Sequence, residues 1–92
     1  MASHLRAHLI ITGRVQGVCF RYETLRTAEG LGVNGWVRNL PDGTVEALIE
    51  GQSESVEAAV RWCHSGPALS RVDDVQVNYV SYQGDLKGFH IH

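Results

Sequence analysis

The hydrophobic pattern changes period between Arg14 and Phe20. Over Leu5–Arg14 the chain reads as an extended strand. Leu9 and Ile11 share one face, which continues to Gly13, and Ile10 makes the run nearly continuous, as in a central strand. From Phe20 the apolar positions fall at helical spacing. Phe20, Thr24, Ala28 and Leu31 form one stripe over Phe20–Leu31, with Gly30 and Gly32 as stop signals. Val15-Gln16-Gly17-Val18 breaks both patterns and is expected to be a loop. A strand followed so closely by a helix must turn the helix stripe onto a sheet.

The rest of the chain completes a symmetrical order. Val33–Asn39 reads as a strand, Leu40-Pro41-Asp42-Gly43 as a turn, and Thr44–Glu50 as the returning strand. In the latter, Val45, Ala47 and Ile49 are expected to face inward and Glu46 and Glu50 outward. Ser53 is a suitable N-cap, with Glu54 and Glu57 near the positive end of a helix. Val56, Ala59, Val60 and Cys63 supply its apolar stripe, and it is expected to end near His64, before Gly66-Pro67. Val72, Val75, Val77 and Tyr79 predict a strand whose register shifts around Asp73-Asp74, as at a bulge. Gly88–His92 predicts a short last strand with Phe89 and Ile91 inward and His90 and His92 in solvent. The order is β-α-β-β-α-β plus a short extra strand. That is the α+β, ferredoxin-like split βαβ arrangement: two helices on one face of a mainly antiparallel sheet. Residues 1–92 are expected to form one domain. Such a fold hosts many activities, so function must be read from a site.

Composition excludes several classes. Of the 92 residues 43% are hydrophobic and 20% charged, as in a folded globular chain rather than a disordered one. No apolar run approaches the ~20 residues of a membrane span, so no membrane association is expected. The start, Met1-Ala2-Ser3-His4-Leu5-Arg6, lacks the apolar core of an export signal. Cys19 and Cys63 are too few for a disulfide scaffold and lack metal-ligand spacing, which suits free thiols in the reducing cytoplasm. The five histidines form no HExxH motif, and His4 and His8, though spaced as HxxxH, fall in the first strand, where that spacing holds them too far apart to share an ion, so no metal site is signalled. No feature suggests an obligate partner, and a monomer is expected. A net charge of −2 argues against general nucleic-acid binding. The charge is unevenly spread: residues 1–41 carry five arginines and two acids, and residues 42–92 three bases and eight acids. A small anion would be drawn to the N-terminal half.

Within that half, Gly13-Arg14-Val15-Gln16-Gly17-Val18-Cys19-Phe20-Arg21 carries the chemistry. The backbone N–H groups at a helix start lack internal partners, and the helix dipole adds positive charge there, which makes an anion site. Gly17 has no side chain to block close approach. Arg21 brings a planar, permanently charged fork to the first turn. Taken alone, the same residues also fit an arginine that is solvated or paired with an acid, and a glycine that only turns the chain.

Two blocks sharpen the reading. Gly13–Arg21, followed by Gly35-Trp36-Val37-Arg38-Asn39 and Asp42-Gly43-Thr44-Val45, resembles the acylphosphatase family in order and separation, and the resemblance spans the chain. It implies hydrolysis of the carboxyl-phosphate bond of small acyl phosphates, such as acetyl phosphate, carbamoyl phosphate and 1,3-bisphosphoglycerate, to a carboxylate and inorganic phosphate. It implies that the loop matching Gln16, Gly17, Val18, Cys19 and Phe20 cradles the phosphoryl group. Arg21 would bind that group and Asn39 would orient the attacking water. It also implies no catalytic metal and no organic cofactor. The same module opens a larger hydrogenase-maturation protein; an end just after Ile91, with no zinc-finger cysteines beyond, is expected of the free-standing form.

Each assignment has a competitor. Asn39 precedes a turn, where asparagine is common. Its amide has no titratable proton suited to base catalysis, so its work would be positional, holding water in line with phosphorus. Cys19 lies where a thiolate would be favoured, but Cys19-Phe20-Arg21 is too short for the Cys-x5-Arg cradle of cysteine phosphatases; a small apolar filler is the expected role. Gln16 is expected to shape the loop rather than react. Trp36 and Tyr22 are expected to pack on the core or rim more than to line the pocket. Asp73 and Asp74 point to opposite faces and are expected in solvent. As an RNA-binding module the chain lacks the full Lys/Arg-Gly-Phe/Tyr-Gly/Ala-Phe-Val pattern, and the outward face of Thr44–Glu50 is acidic. A non-catalytic ferredoxin-like module that retains an anion site is the remaining alternative.

Overall fold

The structure is a computed structural model and describes residues 3–92. Met1 and Ala2, the first residues of the segment read above for an export signal, lie outside them. The elements are β1 (His4–Arg14), α1 (Phe20–Leu31), β2 (Asn34–Asn39), β3 (Val45–Gln52), α2 (Ser53–Ser65), β4 (Arg71–Val80) and β5 (Phe89–Ile91). The sheet order is β4-β1-β3-β2-β5. All pairs are antiparallel except β2 with β5, which is parallel. The expected ferredoxin-like order and the extra strand are both present.

One core forms between the sheet and the helices because the apolar periods meet there. Ala7, Leu9 and Ile11 of β1, Val45, Ala47 and Ile49 of β3 and Val37 of β2 are fully buried on the helix side. Phe20, Thr24 and Ala28 of α1 and Val56, Ala59, Val60 and Cys63 of α2 cover them. The hydroxyl of buried Thr24 donates to the Phe20 carbonyl at 2.7 Å, which satisfies the one polar atom in that stripe. Phe20 and Trp62 bring the helices together, their ring centroids 5.5 Å apart.

Local chemistry fixes the ends. Gly32, not Gly30, closes α1: it takes the left-handed conformation and its N–H reaches the Glu29 carbonyl at 3.2 Å. α2 begins at Ser53, so Gln52 rather than Ser53 holds the cap position. The Ser53 N–H donates to Ser3 at 2.9 Å, which ties the start of α2 to the start of the chain. The expected bulge is present. Thr12 pairs with Asp74 and Gly13 with Val72, which leaves Asp73 unmatched. Asp73 and Asp74 are exposed as expected, and Asp73 pairs with Arg71 at 2.9 Å. Gly13 is required here, since a Cβ would stand 2.1 Å from the Arg71 carbonyl oxygen.

Two strand residues depart from expectation. Glu50 does lie on the face away from the helices, but it is 1% exposed. The segment after β4 folds over it: Gln83 and Gly84 donate backbone N–H groups at 2.9 and 3.1 Å, and Arg6 reaches it at 3.0 Å. Burial pushes the Glu50 carboxyl up, but these donors outweigh it and hold it below the ordinary value. Ile91 shares the helix-facing side with Phe89, as expected, but at the end of the edge strand it is 40% exposed.

Candidate active site

The loop between β1 and α1 is anchored by its apolar residues and open along its backbone. Val15, Val18 and Phe20 turn their side chains into the core, with exposures of 1%, 6% and 1%. Gly17 and Cys19 between them stay exposed. Alternation on this scale needs alternating backbone hand: φ is +74° at Gly17 and +63° at Cys19, with no positive value at Val18. Successive N–H groups in such a run converge on one side and make an anion-binding concavity. Cys19, a non-glycine residue in the left-handed region, occupies the N-cap of α1, and its carbonyl accepts from the Glu23 N–H at 3.0 Å. Among the described residues the N–H groups of Gly17 to Tyr22 have no protein acceptor. The positive end of α1 points at the same place.

Arg21, in the first turn of α1, joins this concavity. Among the described residues it makes no ion pair and no side-chain hydrogen bond, whereas Arg6, Arg38 and Arg71 are all paired with acids. The arginine paired with a neighbouring acid is therefore not what the structure contains.

Asn39 arrives from the other side. It ends β2 opposite Val45 and shares the helix-facing side with buried Gly35 and Val37. Its side-chain oxygen is buried and has no hydrogen-bond partner. Orphan buried acceptors are uncommon in proteins, and this one suits a water that donates to it.

Gln16 joins the two halves. Its amide nitrogen donates to the Leu40 carbonyl at 2.8 Å and to the Thr44 carbonyl at 2.9 Å. These carbonyls belong to the turn after Asn39, which is closed by Leu40 N–H to Thr44 at 2.9 Å. Asp42 stiffens the turn by accepting from the Thr44 hydroxyl at 2.7 Å and its N–H at 3.0 Å, which holds the Asp42 carboxyl below its ordinary value.

Gly17, Cys19, Phe20, Arg21 and Asn39 thus line one open cleft of about 380 Å3, together with Val15, Tyr22 and Ile91. No acidic side chain lines it. The side chains of Gln16 and Val18 do not line it, Val18 being buried beneath the loop and the Gln16 amide taken by Leu40 and Thr44, so only their backbone is open to the role expected of the loop. Cys19 is exposed in the cleft rather than filling the core. Trp36 lies on the opposite sheet face, between Arg38, 5.2 Å from its ring, and the stacked ring of His92 at 5.5 Å. Tyr22, expected to pack, is 53% exposed at the cleft edge. The involvement of Ile91 was missed, since periodicity alone cannot show that the edge strand ends beside the site. Among the described residues no three His, Cys, Asp or Glu side chains group as metal ligands.

Comparison with known proteins gives the family. The family model for acylphosphatase matches residues 7–91. An acylphosphatase of Anaeromyxobacter dehalogenans is 54% identical over 91 residues, 99% of this chain and 98% of its own length. One from Nostoc is 58% identical over 87 residues, covering 95% of this chain and 85% of its own. The crystal structure of acylphosphatase from Bacillus subtilis superposes with a TM-score of 0.92 at 35% identity, covering 96% of this chain and 98% of that one.

Proposed function

The chain belongs to the acylphosphatase family and hydrolyses acyl phosphates, and from that premise we propose how its residues divide the work. The observation that carries the proposal is a convergence. A run of unengaged N–H groups, an unpaired arginine and a buried orphan amide oxygen meet in one cleft. The backbone of Gln16, Gly17, Val18, Cys19 and Phe20 cradles the phosphoryl oxygens. Arg21 grips two of them with its fork. The Asn39 side-chain oxygen accepts a hydrogen bond from the attacking water and holds it in line with phosphorus. As water bonds to phosphorus, the phosphorus–oxygen bond to the acyl group breaks and its electron pair leaves with the carboxylate. A phosphate oxygen of the substrate takes the water proton, since no carboxylate or imidazole lines the cleft.

A carboxylate is a good leaving group, so alignment and charge stabilisation suffice and neither metal nor organic cofactor is needed. Donors fixed in advance where charge develops supply the rate; losing one such donor costs ~10²–10³. The alternative of a non-catalytic anion-binding module is not favoured by the relatives. Hydrolysis in 18O-labelled water tests the direction of attack. Label in the inorganic phosphate is expected; label in the carboxylate would mean attack on the acyl carbon and would end the proposal.

The setting follows the same reading. Residues 1–92 act as one domain, and the chain spans nearly the whole length of the Anaeromyxobacter relative; a monomer is the state this reading assigns. The partners are small acyl phosphates and the phosphate released from them, not nucleic acid. Cys19 and Cys63 are both free thiols, which supports a cytoplasmic location. No described helix is long and apolar enough to cross a membrane.

A further inference from the structure

Arg6, Glu50 and Asn34 form one row across the sheet: Arg6 of β1 pairs with Glu50 of β3, and Glu50 with Asn34 of β2. The segment between β4 and β5, residues 81–88, follows that row as a strap. It leaves β4 after Val80, which pairs with Arg6. It passes Glu50, which accepts the Gln83 and Gly84 N–H groups, and reaches Asn34, whose side-chain oxygen accepts the Gly88 N–H at 3.1 Å. It then enters β5 at the opposite edge of the sheet. The strap is exposed except for half-buried Leu86. Its ion pair, Asp85 with Arg6, lies at the surface, where such pairs add little. Glu50 is buried, and its three donors converge on one oxygen, Oε2. Among the described residues its other oxygen, Oε1, is buried without a partner. A charged acceptor bound to two backbone N–H groups is the strongest anchor the strap has.

The strap leads to the cleft. β5 is a three-residue edge strand that runs parallel to β2 toward Asn39. The His92 N–H donates to the Val37 carbonyl at 2.9 Å, two residues short of Asn39. Phe89 is buried on the side that α1 covers, and Ile91 lines the cleft. Segments with few buried contacts open locally while the core stays folded. We infer that Glu50 is a positioning residue for the cleft: it latches the strap and thereby docks β5, which backs the Asn39 end of β2 and supplies Ile91. The inference rests on Asn39 holding the attacking water, as proposed above. With the latch open, β2 becomes the sheet edge beside Asn39 and the cleft loses a wall. The cradle and Arg21 belong to β1, α1 and the loop between them and stay in place. Phosphate binding therefore does not pull the strap shut, and opening lowers kcat without weakening phosphate.

Lys87 is the only lysine in the sequence and lies in the strap, so a lysine-specific protease reads strap opening in the intact native protein. Where reclosing outpaces cleavage, the rate tracks the open population. Glu50→Gln keeps the shape of the side chain and removes its charge. It is expected to speed cleavage on the order of a hundredfold. It should lower kcat by about threefold or more as the competent fraction shrinks, with inhibition by inorganic phosphate unchanged. Cleavage should be nearly flat in urea well below the unfolding transition, since strap opening exposes little surface. Gly84→Ala strains the strap at a φ of +70°, outside the sheet, and should speed cleavage about tenfold; it serves where Glu50→Gln folds poorly. Asp85→Asn should change neither cleavage nor turnover. Cleavage of Glu50→Gln at the wild-type rate, or cleavage that climbs with urea as global unfolding does, would overturn the latch. Faster cleavage with kcat unchanged would overturn the positioning role and leave the wild-type reaction, and so the reading of Asn39, in place. A wild type without turnover would end that reading and the positioning role with it.

Discussion

The side-chain nitrogen of Gln16 stands 2.8 Å from the carbonyl oxygen of Leu40. That hydrogen bond, with its companion to Thr44, spans the gap between the loop that carries the N–H groups and the turn that follows Asn39. It makes the separation of Arg21 from Asn39 a property of one side chain as well as of the sheet. Gln16 is a positioning residue: its amide faces the protein and only its backbone belongs to the cradle.

Gln16→Ala should therefore lower stability by about 1–2 kcal/mol, the scale of two lost hydrogen bonds at half-buried carbonyls. It should lower kcat far more than it weakens inhibition by inorganic phosphate. Misplacement by about 1 Å can cost on the order of 10²-fold in rate. Gln16→Glu, which sets a carboxylate against two carbonyls, should be worse. Urea midpoints together with kcat and the phosphate inhibition constant separate these effects; equal losses in kcat and in phosphate affinity would contradict the positioning role.

The glycines of the loop and the bulge should fail in different ways. Gly13→Ala drives a Cβ into the Arg71 backbone and should cost about 3 kcal/mol or more. Gly17→Ala meets no atom within 4 Å but keeps a φ of +74°. Its folding cost should be only about 1–2 kcal/mol. Its loss of kcat/KM should be much larger, since the methyl group stands at the phosphate approach. Thermal melts and kinetics on the two variants check the contrast.

Glu50 links stability to pH. Its native pKa lies below the ordinary 4.5, so folding favours the carboxylate. Its contribution is complete above the ordinary value and is lost as pH falls below it through the lower native pKa. Glu50→Gln should cost about 3 kcal/mol near neutrality, because Arg6 and two backbone donors lose their charged acceptor. The gap between wild type and variant should narrow between pH 6 and pH 3. Urea midpoints across that range measure it, and a constant gap would mean the carboxylate charge is not what holds the segment down.

The two cysteines should differ as reagents. Burial pushes the Cys63 thiol up to about 12, and it sits in the core. Cys19 is exposed at the cleft. A thiol reagent at pH 8 should modify Cys19 alone in the native protein and both residues after denaturation. Cys19→Ser keeps the backbone N–H and should retain most turnover. Its abolition in a folded variant would make the thiol a nucleophile.

Much of this was legible in the sequence, for local reasons. α1 was bounded to the residue because an apolar stripe and closing glycines coincide. The hairpin was marked by Leu40-Pro41-Asp42-Gly43, and the bulge by the parity change between Val72 and Val75. Arg21 and Asn39 were singled out through two motif blocks, and the fold brings both to one cleft because β1 and β2 finish at the same end of the sheet. What was not legible depends on partners distant in sequence. The bonds from Gln16 reach 24 and 28 residues ahead. Glu50 looked exposed because the segment that buries it has no periodicity of its own. The left-handed Cys19 and the exposed Ile91 follow from how loop and edge strand meet the core, which residue type does not encode.

The most direct measurement is hydrolysis of benzoyl phosphate with EDTA present by the wild type, Arg21→Ala and Asn39→Ala, each checked for folding by circular dichroism and for inorganic phosphate binding. The wild type should turn over without metal. Arg21→Ala should lose both phosphate binding and turnover, and Asn39→Ala should keep phosphate binding and lose on the order of 10²-fold or more in kcat. A folded Asn39→Ala that turns over normally, or a wild type that EDTA silences, would contradict the division of roles between the arginine that holds phosphate and the asparagine that holds water.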